Sequence, residues 1–232
     1  MITHRGIKKH ILKQLQPNFS FEKALWKKGY KFIAGVDEVG RGCFAGPVVA
    51  GCVVFKHHFR IMGKIRIDDS KKLTPRQRVK TNLWLKENVL AWGIGEASVS
   101  LINRIGMGKA TKVAFRRAIK GVNKKLDFLL IDAFYIPYVR GLKRKNQRAI
   151  VDGDEKSLTI AAASIIAKVY RDSLMRKLSI KHPKYGWEKN KGYGTKEHLG
   201  ALRKYGLTRH HRKQFVATYF KKISSSQAQL SV

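Results

Sequence analysis

IAGVDEVGRG, at residues 33–42, is the stretch that decides the fold of this chain. Its apolar half is typical of a buried strand, which ends in Asp37 and Glu38 and is followed by an arginine between two glycines. Carboxylate oxygens bind hard divalent cations, and a guanidinium beside bare backbone can approach a phosphate closely. The stretch therefore predicts a site for metal and phosphodiester at a strand end, which is the layout of a nuclease.

The composition points to a polyanionic partner. The 232 residues include 49 Lys+Arg against 15 Asp+Glu, a formal net charge of +34. Such an excess is typical of salt-sensitive nucleic-acid binding, and it bears on partners rather than on fold. A hydrophobic content of 44% and an aromatic content of 10% predict a folded protein in spite of the charge. A non-enzymatic nucleic-acid binder, such as a ribosome-associated basic protein, remains an alternative at this point.

The same composition bears on location and on redox chemistry. No segment approaches about 18 uninterrupted apolar residues, so we expect no membrane span. The first residues are basic but lack an apolar core of signal-peptide length, so we expect a cytoplasmic protein. Cys43 and Cys52 are the two cysteines, too few for a disulfide framework or a four-cysteine zinc site, and we expect reduced thiols. A monomer is the expected oligomeric state.

Apolar periodicity predicts alternating strands and helices. The predicted strands cover residues 31–37, 47–56, 89–98, 126–132 and 148–152, and the predicted helices cover 21–29, 103–120, 157–179 and 195–204, with a loop at 182–194. The alanine-rich run 161–167 is interpreted as part of a close-packed core helix. This order predicts an α/β fold in which helices flank a mixed central β-sheet.

Three predicted strands end in acid, in a chain that is poor in acids. The acids are Asp37 with Glu38, Asp132, and Asp154, which we favour over Asp152 because a glycine between the two interrupts the strand. Each acid alone is also explained as a solvated turn or a helix cap. If the strands are neighbours, however, the four carboxylates converge and repel one another unless divalent cations bind between them. The coincidence favours a metal site.

Other polar residues have weaker signals. The acidic pair Asp68-Asp69 is interpreted as structural or as ordering a loop, with Lys71 as a phosphate contact. On the long helix, Ser164 and Lys168 either face the substrate or lie at the edge of the core.

Two histidine pairs, His57-His58 and His210-His211, lack cysteines or acids at zinc-ligand spacing. We therefore predict that both pairs lie in solvated loops.

Five blocks of this sequence resemble ribonuclease HII, the type 2 ribonucleases H. They are GVDEVGRG at 35–42 with AGPVV at 45–49, DSKKL at 69–73, ID at 131–132, GD at 153–154 with IAAASIIAKV at 160–169 and RD at 171–172, and KGYGTKEHL at 191–199. The resemblance covers residues 22 to 215, and five blocks in the right order make it specific. The basic stretch KRKNQ at 143–147 and Gln214, where a small hydroxyl residue is expected, depart from the family pattern.

The resemblance implies a ribonuclease H-like fold and an endonuclease that hydrolyses the RNA strand of RNA–DNA hybrids. It also implies cutting 5′ of single ribonucleotides embedded in duplex DNA, hence a role in ribonucleotide excision, replication and repair. Two Mg²⁺ or Mn²⁺ ions are implied during catalysis. The implied catalytic and metal-binding residues are Asp37, Glu38, Asp132 and Asp154. The sequence alone does not resolve whether a replication clamp is a further partner.

The predicted substrate-binding residues are Gly40, Arg41, Gly42, Ser70, Lys71, Ser164, Lys168 and Tyr193. In the family, the glycine–arginine–glycine backbone reads the ribose 2′-hydroxyl and the tyrosine packs on the following deoxyribose. A ribonuclease H-like recombinase or transposase also uses carboxylates and two metals, but it lacks both features.

The predicted chain organisation has four parts. They are a basic N-terminal extension at 1–20, a ribonuclease H-like catalytic domain at 21–180, a small helical substrate-binding lobe at 181–222, and a polar, mobile tail at 223–232.

Overall fold

The computed structural model describes residues 16–61 and 65–229. Its strands are β1 (Ile33–Val39), β2 (Val48–Val54), β3 (Ala91–Ala97), β4 (Phe128–Asp132) and β5 (Gln147–Ile150). They form one sheet in the order β3-β2-β1-β4-β5. The pairs β1–β2 and β2–β3 are antiparallel, whereas β1–β4 and β4–β5 are parallel. The mixed sheet that the sequence predicted is confirmed.

Helices cover both faces of this sheet. They are α1 (Ser20–Trp26), α2 (Pro75–Asn88), α3 (Val99–Ile105), α4 (Met107–Gly121), α5 (Gly153–Lys156), α6 (Leu158–Lys181), α7 (Trp187–Asn190), α8 (Lys196–Tyr205) and α9 (Lys213–Gln229). Helix α4 packs with alternate residues of β1 and β2, such as Val36 and Cys52. Helix α6 packs on the opposite face, with residues such as Val53. Among the described residues, no helix combines the length and apolar character that a membrane crossing requires.

The contact between α6 and the sheet is unusually close. A Cβ added at Gly35 or Gly51 would collide with the α6 backbone at Thr159 or Ala163. The run 161–167 is buried throughout, which confirms its interpretation as a core helix. Because the helix lies directly on β1 and β2, its next turns reach the edge of the sheet where β1 ends.

Three stretches differ from the predicted elements. The single helix predicted at 103–120 is two helices, because Gly106 adopts a left-handed φ of 79° between α3 and α4. Helix α2 was not predicted, although Thr74 and Gln77 form a capping box around Pro75 at its start. The loop predicted at 182–194 contains the helical turns Pro183–Tyr185 and Trp187–Asn190.

The C-terminal elements form a small apolar cluster of their own. It includes Trp187, Leu199 and Leu202, packed against Met175 near the end of α6. Helix α9 extends to Gln229 through most of the predicted tail, so the backbone there is helical. The mobility of the tail stays a prediction, and residues 1–15 of the predicted N-terminal extension lie outside the described residues.

Candidate active site

The parallel strands β1 and β4 bring three acids to one edge of the sheet. Asp37 and Glu38 lie near the end of β1, and Asp132 is the last residue of β4. Asp154 joins them from α5, the helical turn after β5. All four line one cavity of about 300 Å³. The convergence that the strand ends predicted is therefore present in the fold.

The predicted substrate-binding residues line the same cavity. They are Gly40, Arg41, Gly42, Ser70, Lys71, Ser164, Lys168 and Tyr193. Val39 and Arg171 complete the lining and were not predicted. The structure thus gathers residues from five separate sequence blocks at one place.

Asp154, rather than Asp152, is the acid that faces the cavity. The Asp154 side chain is 10% exposed, against 68% for Asp152. The backbone at Asp152 adopts a left-handed φ of 53°, which turns the chain between the two acids. The Gly153 amide then donates a hydrogen bond to Asp132 Oδ1 at 2.7 Å.

Burial and mutual repulsion raise the pKa of these acids. The pKa of Asp37 lies well above its ordinary value because the carboxyl is buried and faces Glu38, Asp132 and Asp154. Burial, followed by the charge of Asp69, raises the pKa of Asp154 to about 6. Burial also raises the pKa of Glu38 and of Asp132. In a chain with a large cationic excess, four of the 15 acids therefore meet in one cavity.

Two exposed cations partly offset this charge. Arg41 Nη1 lies 3.3 Å from Glu38 Oε1, and Lys71 Nζ lies 3.6 Å from Asp154 Oδ2. The Lys71 side chain is 80% exposed. The cation of each pair is exposed whereas its carboxylate is only 10% exposed, so either cation would be free to turn to a phosphate once a bound divalent cation compensates that carboxylate.

The donor set fits a hard divalent cation. Within residues 16–61 and 65–229, no three His, Cys, Asp or Glu side chains form a ready group that could hold a metal ion. The four acids nevertheless offer the oxygen ligands that Mg²⁺ and Mn²⁺ prefer. Glu38 Oε2 is buried without a hydrogen-bond partner. Arg41 and Lys71 now pair with Glu38 and Asp154, and a bound cation would replace these two pairings.

The raised pKa of Asp154 predicts a pH-dependent stability. Its pKa rises from 3.8 to about 6 on folding, so the ionised form destabilises the cation-free fold. This penalty is absent below about pH 4, grows between about pH 4 and 6, and is complete above that range. In chelator, we expect Asp154→Asn to be more stable than the parent by about 1–2 kcal/mol near pH 8 and equal to it near pH 4.

Urea unfolding across this pH range measures the difference. Asp152→Asn, which changes an exposed carboxylate two residues away, is the matched control and should differ little from the parent at any pH. A pH-independent difference for Asp154→Asn would contradict the assigned repulsion.

Backbone contacts join the glycine–arginine–glycine loop to the C-terminal lobe. The carbonyl of Gly192 accepts hydrogen bonds from the amides of Phe44 at 2.7 Å and Ala45 at 3.2 Å. The Gly46 amide donates to the carbonyl of His210 at 2.9 Å. These contacts place Tyr193 beside the loop that follows β1.

Two buried arginines stabilise the same contact between the glycine–arginine–glycine loop and the C-terminal lobe. Arg171 donates to the carbonyls of Pro47, Lys191 and Ala45, at 2.9, 2.9 and 3.1 Å. Arg212 donates to the carbonyls of Arg41 and Cys43, each at 2.7 Å, and twice to that of Gly46. Burial lowers the pKa of Arg212 to about 10. Sequence reasoning gave a role to neither arginine, although Arg171 falls in a block that resembles the family, because nothing local separates the two from the other basic residues.

A chain of hydrogen bonds within the C-terminal lobe holds the backbone at Tyr193. His198 Nδ1 lies 2.8 Å from the Tyr193 carbonyl, and His198 Nε2 accepts from Trp187 Nε1 at 3.0 Å. His211 Nε2 lies 3.1 Å from His198 Nε2, and the Thr208 amide donates to His211 Nδ1 at 2.8 Å. The pattern requires both imidazoles to be neutral. Burial and the neighbouring His198 lower the pKa of His211 to about 4, which keeps it so.

The histidine prediction was therefore wrong for His211, and His210 is half-buried against the rings of His182 and Trp187. His211 is buried rather than solvated, because its partners are Thr208 and His198 within the lobe. His57 and His58 are exposed, as predicted.

The remaining predicted residues form the wall of the cavity. Ser164 donates a hydrogen bond to Ser70 Oγ at 3.0 Å, and both serines are buried. Lys168 donates to Asp172 at 2.9 Å. Asp69 accepts from the Lys71 amide at 2.9 Å, which confirms that it orders the loop. Its second effect, on the pKa of Asp154, was not predicted.

Comparison with known proteins gives one family. Residues 34–223 match the family model described as Ribonuclease HII. Ribonuclease HII of Wolbachia pipientis subsp. Culex pipiens is 48% identical over 200 residues, covering 86% of this chain and 95% of the relative. Ribonuclease HII of Desulfitobacterium hafniense DCB-2 is 46% identical over 194 residues, covering 84% of this chain and 72% of the relative.

Solved structures agree with this likeness. Ribonuclease H2 from Pyrococcus horikoshii OT3 superposes with a TM-score of 0.65 at 26% identity, covering 82% of this chain and 98% of that one. RNase HII in the PCNA complex from Archaeoglobus fulgidus gives a TM-score of 0.64 at 25% identity, covering 78% and 93%. Bst-RNase HIII, solved in complex with Mn²⁺, shares the fold at 18% identity, with a TM-score of 0.60 and coverage of 81% and 65%.

Proposed function

Because this chain belongs to the ribonuclease HII family and is therefore an endoribonuclease with ribonuclease H activity, we propose that it also cuts 5′ of single ribonucleotides embedded in duplex DNA, using two divalent cations. One observation carries the proposal: the four acids, the glycine–arginine–glycine loop and Tyr193 all line a single cavity. The cavity therefore combines groups suited to hydrolysis with groups suited to reading a sugar.

Asp37, Glu38, Asp132 and Asp154 are the residues that would hold Mg²⁺ or Mn²⁺. When bound, such cations activate water and stabilise the leaving oxygen of a phosphodiester. The Mn²⁺ complex of Bst-RNase HIII supports a divalent requirement. Arg41 and Lys71, at the rim, would turn from their carboxylates to the phosphates of the bound strand.

Bare backbone in the loop after β1 suits recognition of the ribose. A Cβ at Gly40, whose φ is 88°, would collide with the Arg171 guanidinium, so the fold itself requires that glycine. At Gly42 an added Cβ would meet nothing within 4 Å, and the backbone is not left-handed. The fold does not require glycine there, so we assign its open space to the ribose and its 2′-hydroxyl.

This assignment predicts that a small substitution at Gly42 lowers activity without lowering stability. Gly42→Ala should change the free energy of unfolding by no more than about 0.5 kcal/mol, since no protein atom is displaced. It should lower kcat/KM on ribonucleotide-containing duplex by about tenfold, because the methyl group occupies space that the sugar needs. Gly108→Ala, at another exposed glycine with nothing within 4 Å and outside the C-terminal lobe, is the matched control for activity. Unaltered kcat/KM for Gly42→Ala would remove Gly42 from the substrate surface.

The position of Tyr193 in the cavity predicts a preference for an RNA-to-DNA junction over a continuous hybrid. Its ring is 44% exposed at the cavity. At an RNA-to-DNA junction the ring would pack on an apolar deoxyribose, whereas in a continuous hybrid the next sugar carries a 2′-hydroxyl. Tyr193→Ala should therefore slow junction cleavage more than hybrid cleavage, at a cost of about 1–3 kcal/mol by analogy with stacking on nucleotides. Tyr193→Phe keeps the ring and should keep the junction-to-hybrid rate ratio. An unchanged ratio in Tyr193→Ala would exclude junction sensing by this ring.

A substrate panel tests the proposed reaction. RNA–DNA hybrid and an all-DNA duplex of the same sequence are incubated with Mg²⁺, with Mn²⁺, and with excess chelator. We expect cleavage of the hybrid RNA strand in either cation and none in chelator. Cleavage of the all-DNA duplex would instead support the recombinase or transposase alternative. The family match removes the non-enzymatic alternative.

Partners and location remain proposals. The Archaeoglobus fulgidus relative was solved in complex with PCNA, and on that likeness we propose a sliding clamp as a partner during ribonucleotide excision, replication and repair. A monomeric state and a cytoplasmic location are proposed on composition alone.

A further inference from the structure

A second cavity lies at the ends of the strands opposite to those that carry the carboxylates. It has a volume of about 470 Å³ and lies between the end of α4 and the connection from β4 to β5. The five residues of β4 separate its floor from Asp132, a distance on the order of 15 Å at the usual rise of a strand. This cavity is therefore distinct from the candidate active site.

Five cations and one exposed aromatic ring line this second cavity. The cations are Arg116, Lys120, Lys124, Lys125 and Arg140, and the ring is that of Tyr138. No acid lines it, and in the described part of the chain none of the five cations lies within 4 Å of a carboxylate. The nearest acid along the chain, Asp127, instead accepts hydrogen bonds from the amides of Lys31 and Phe32. The positive charge of this cavity is therefore not compensated by carboxylates, and it lines a concave surface.

A tight turn anchors the backbone next to the ring. The Leu142 amide donates to the Val139 carbonyl at 3.1 Å, and Gly141 supplies a left-handed φ of 78°. Val139 is buried in the core beneath α4, and Leu142 packs against the same core. Tyr138, beside Val139, is consequently turned outward and is 66% exposed. The ring follows an anchored turn, so little backbone freedom is lost when a ligand stacks on it.

We propose that this basic cavity is a second nucleic-acid site, which takes a nucleotide of a single-stranded segment with its base stacked on Tyr138. Aromatic rings among cations bind single strands because every base has a face to stack and every linkage has a phosphate to neutralise. A duplex keeps its bases stacked inside and offers none to the ring. The cavity has the size of a single nucleotide, whereas a duplex would only cross its mouth. The occupant would be a single-stranded flank of the substrate or a separate strand.

Equilibrium binding tests the proposal independently of cleavage. Fluorescein-labelled oligothymidylate of about ten nucleotides is titrated with the protein in chelator and followed by anisotropy. Tyr138→Ala should weaken binding about five- to a hundredfold, and Tyr138→Phe should bind like the parent because the ring remains. Lys124→Ala should weaken binding and flatten its salt dependence, whereas Lys80→Ala, which removes an exposed charge from α2, should do neither.

Cross-linking locates the strand directly. An oligonucleotide with 5-iodouracil at one position, irradiated in the complex, should attach to the segment 134–143 in the parent and lose that attachment in Tyr138→Ala. Cross-links confined to the carboxylate cavity would overturn the proposal. So would equal affinity of Tyr138→Ala and the parent, or a Tyr138 dependence seen for duplex and not for oligothymidylate. Because none of these measurements needs catalysis, their failure is distinguishable from failure of the proposed reaction.

Discussion

Asp37→Asn will abolish cleavage of an RNA–DNA hybrid, by about a thousandfold or more, while the protein remains folded. Asp37 is buried at the centre of the cavity, where it faces Glu38, Asp132 and Asp154. Loss of one anionic ligand from a divalent site removes charge that no neighbour replaces, and a thousandfold loss corresponds to about 4 kcal/mol of transition-state stabilisation. Initial rates in Mg²⁺ and in Mn²⁺ measure the effect.

The fold of this variant should hold in chelator, or become more stable. The amide oxygen of the introduced asparagine can still accept the hydrogen bond that the Glu38 amide now donates to Asp37 at 2.7 Å. Because burial and its neighbours raise the pKa of Asp37, the ionised carboxylate opposes folding at neutral pH. Asp127→Asn, at the other end of β4, is the matched control and should retain activity. Full activity of Asp37→Asn would refute the proposed site, and an unfolded Asp37→Asn would refute the electrostatic account.

Arg212→Met should destabilise the protein by about 3 kcal/mol or more. The guanidinium satisfies the buried carbonyls of Arg41, Cys43 and Gly46, and methionine leaves all three without their donor. The loop that carries Arg41 would then lose its fixed position against the C-terminal lobe, so activity should fall as well. Urea unfolding and hybrid cleavage measure the two effects.

A nearby arginine provides the control. Arg209→Met changes an exposed residue of the same segment and should alter neither the free energy of unfolding nor the cleavage rate strongly. Arg212→Lys should recover part of the stability, because an ammonium group can still donate to some of the carbonyls. If Arg212→Met unfolds like the parent, the buried guanidinium does not fasten the loop.

The elements that sequence predicts well here are those with a strong local signal. Strand β1 has a continuous apolar run, and α6 has a long, alanine-rich pattern, so both were predicted within a few residues. The acids could be predicted because they follow such runs directly. Helix α2 was missed because its pattern is polar, although the capping box at Thr74 and Gln77 was a usable signal.

The contacts that assemble the cavity join residues that lie far apart in the sequence, so local sequence patterns do not reveal them. Arg171 and Arg212 reach carbonyls that are 20 to 171 positions away along the chain. Neither differs locally from the other cations among 49 Lys+Arg, so their burial depends on the tertiary fold alone. The buried environment of His211 comes from residues closer along the chain, Thr208 and His198, three and thirteen positions away. Only the family resemblance placed the segment around Tyr193 at the site before the structure did.

One measurement tests the central claim most directly: cleavage of a duplex DNA that contains a single ribonucleotide, with the products mapped to nucleotide resolution. The all-DNA duplex and Asp37→Asn serve as controls in the same experiment. The account predicts one cut, 5′ of the ribonucleotide, which requires Mg²⁺ or Mn²⁺ and disappears in chelator and in Asp37→Asn. Cutting that persists in chelator, that occurs equally in the all-DNA duplex, or that ignores the position of the ribonucleotide would contradict it.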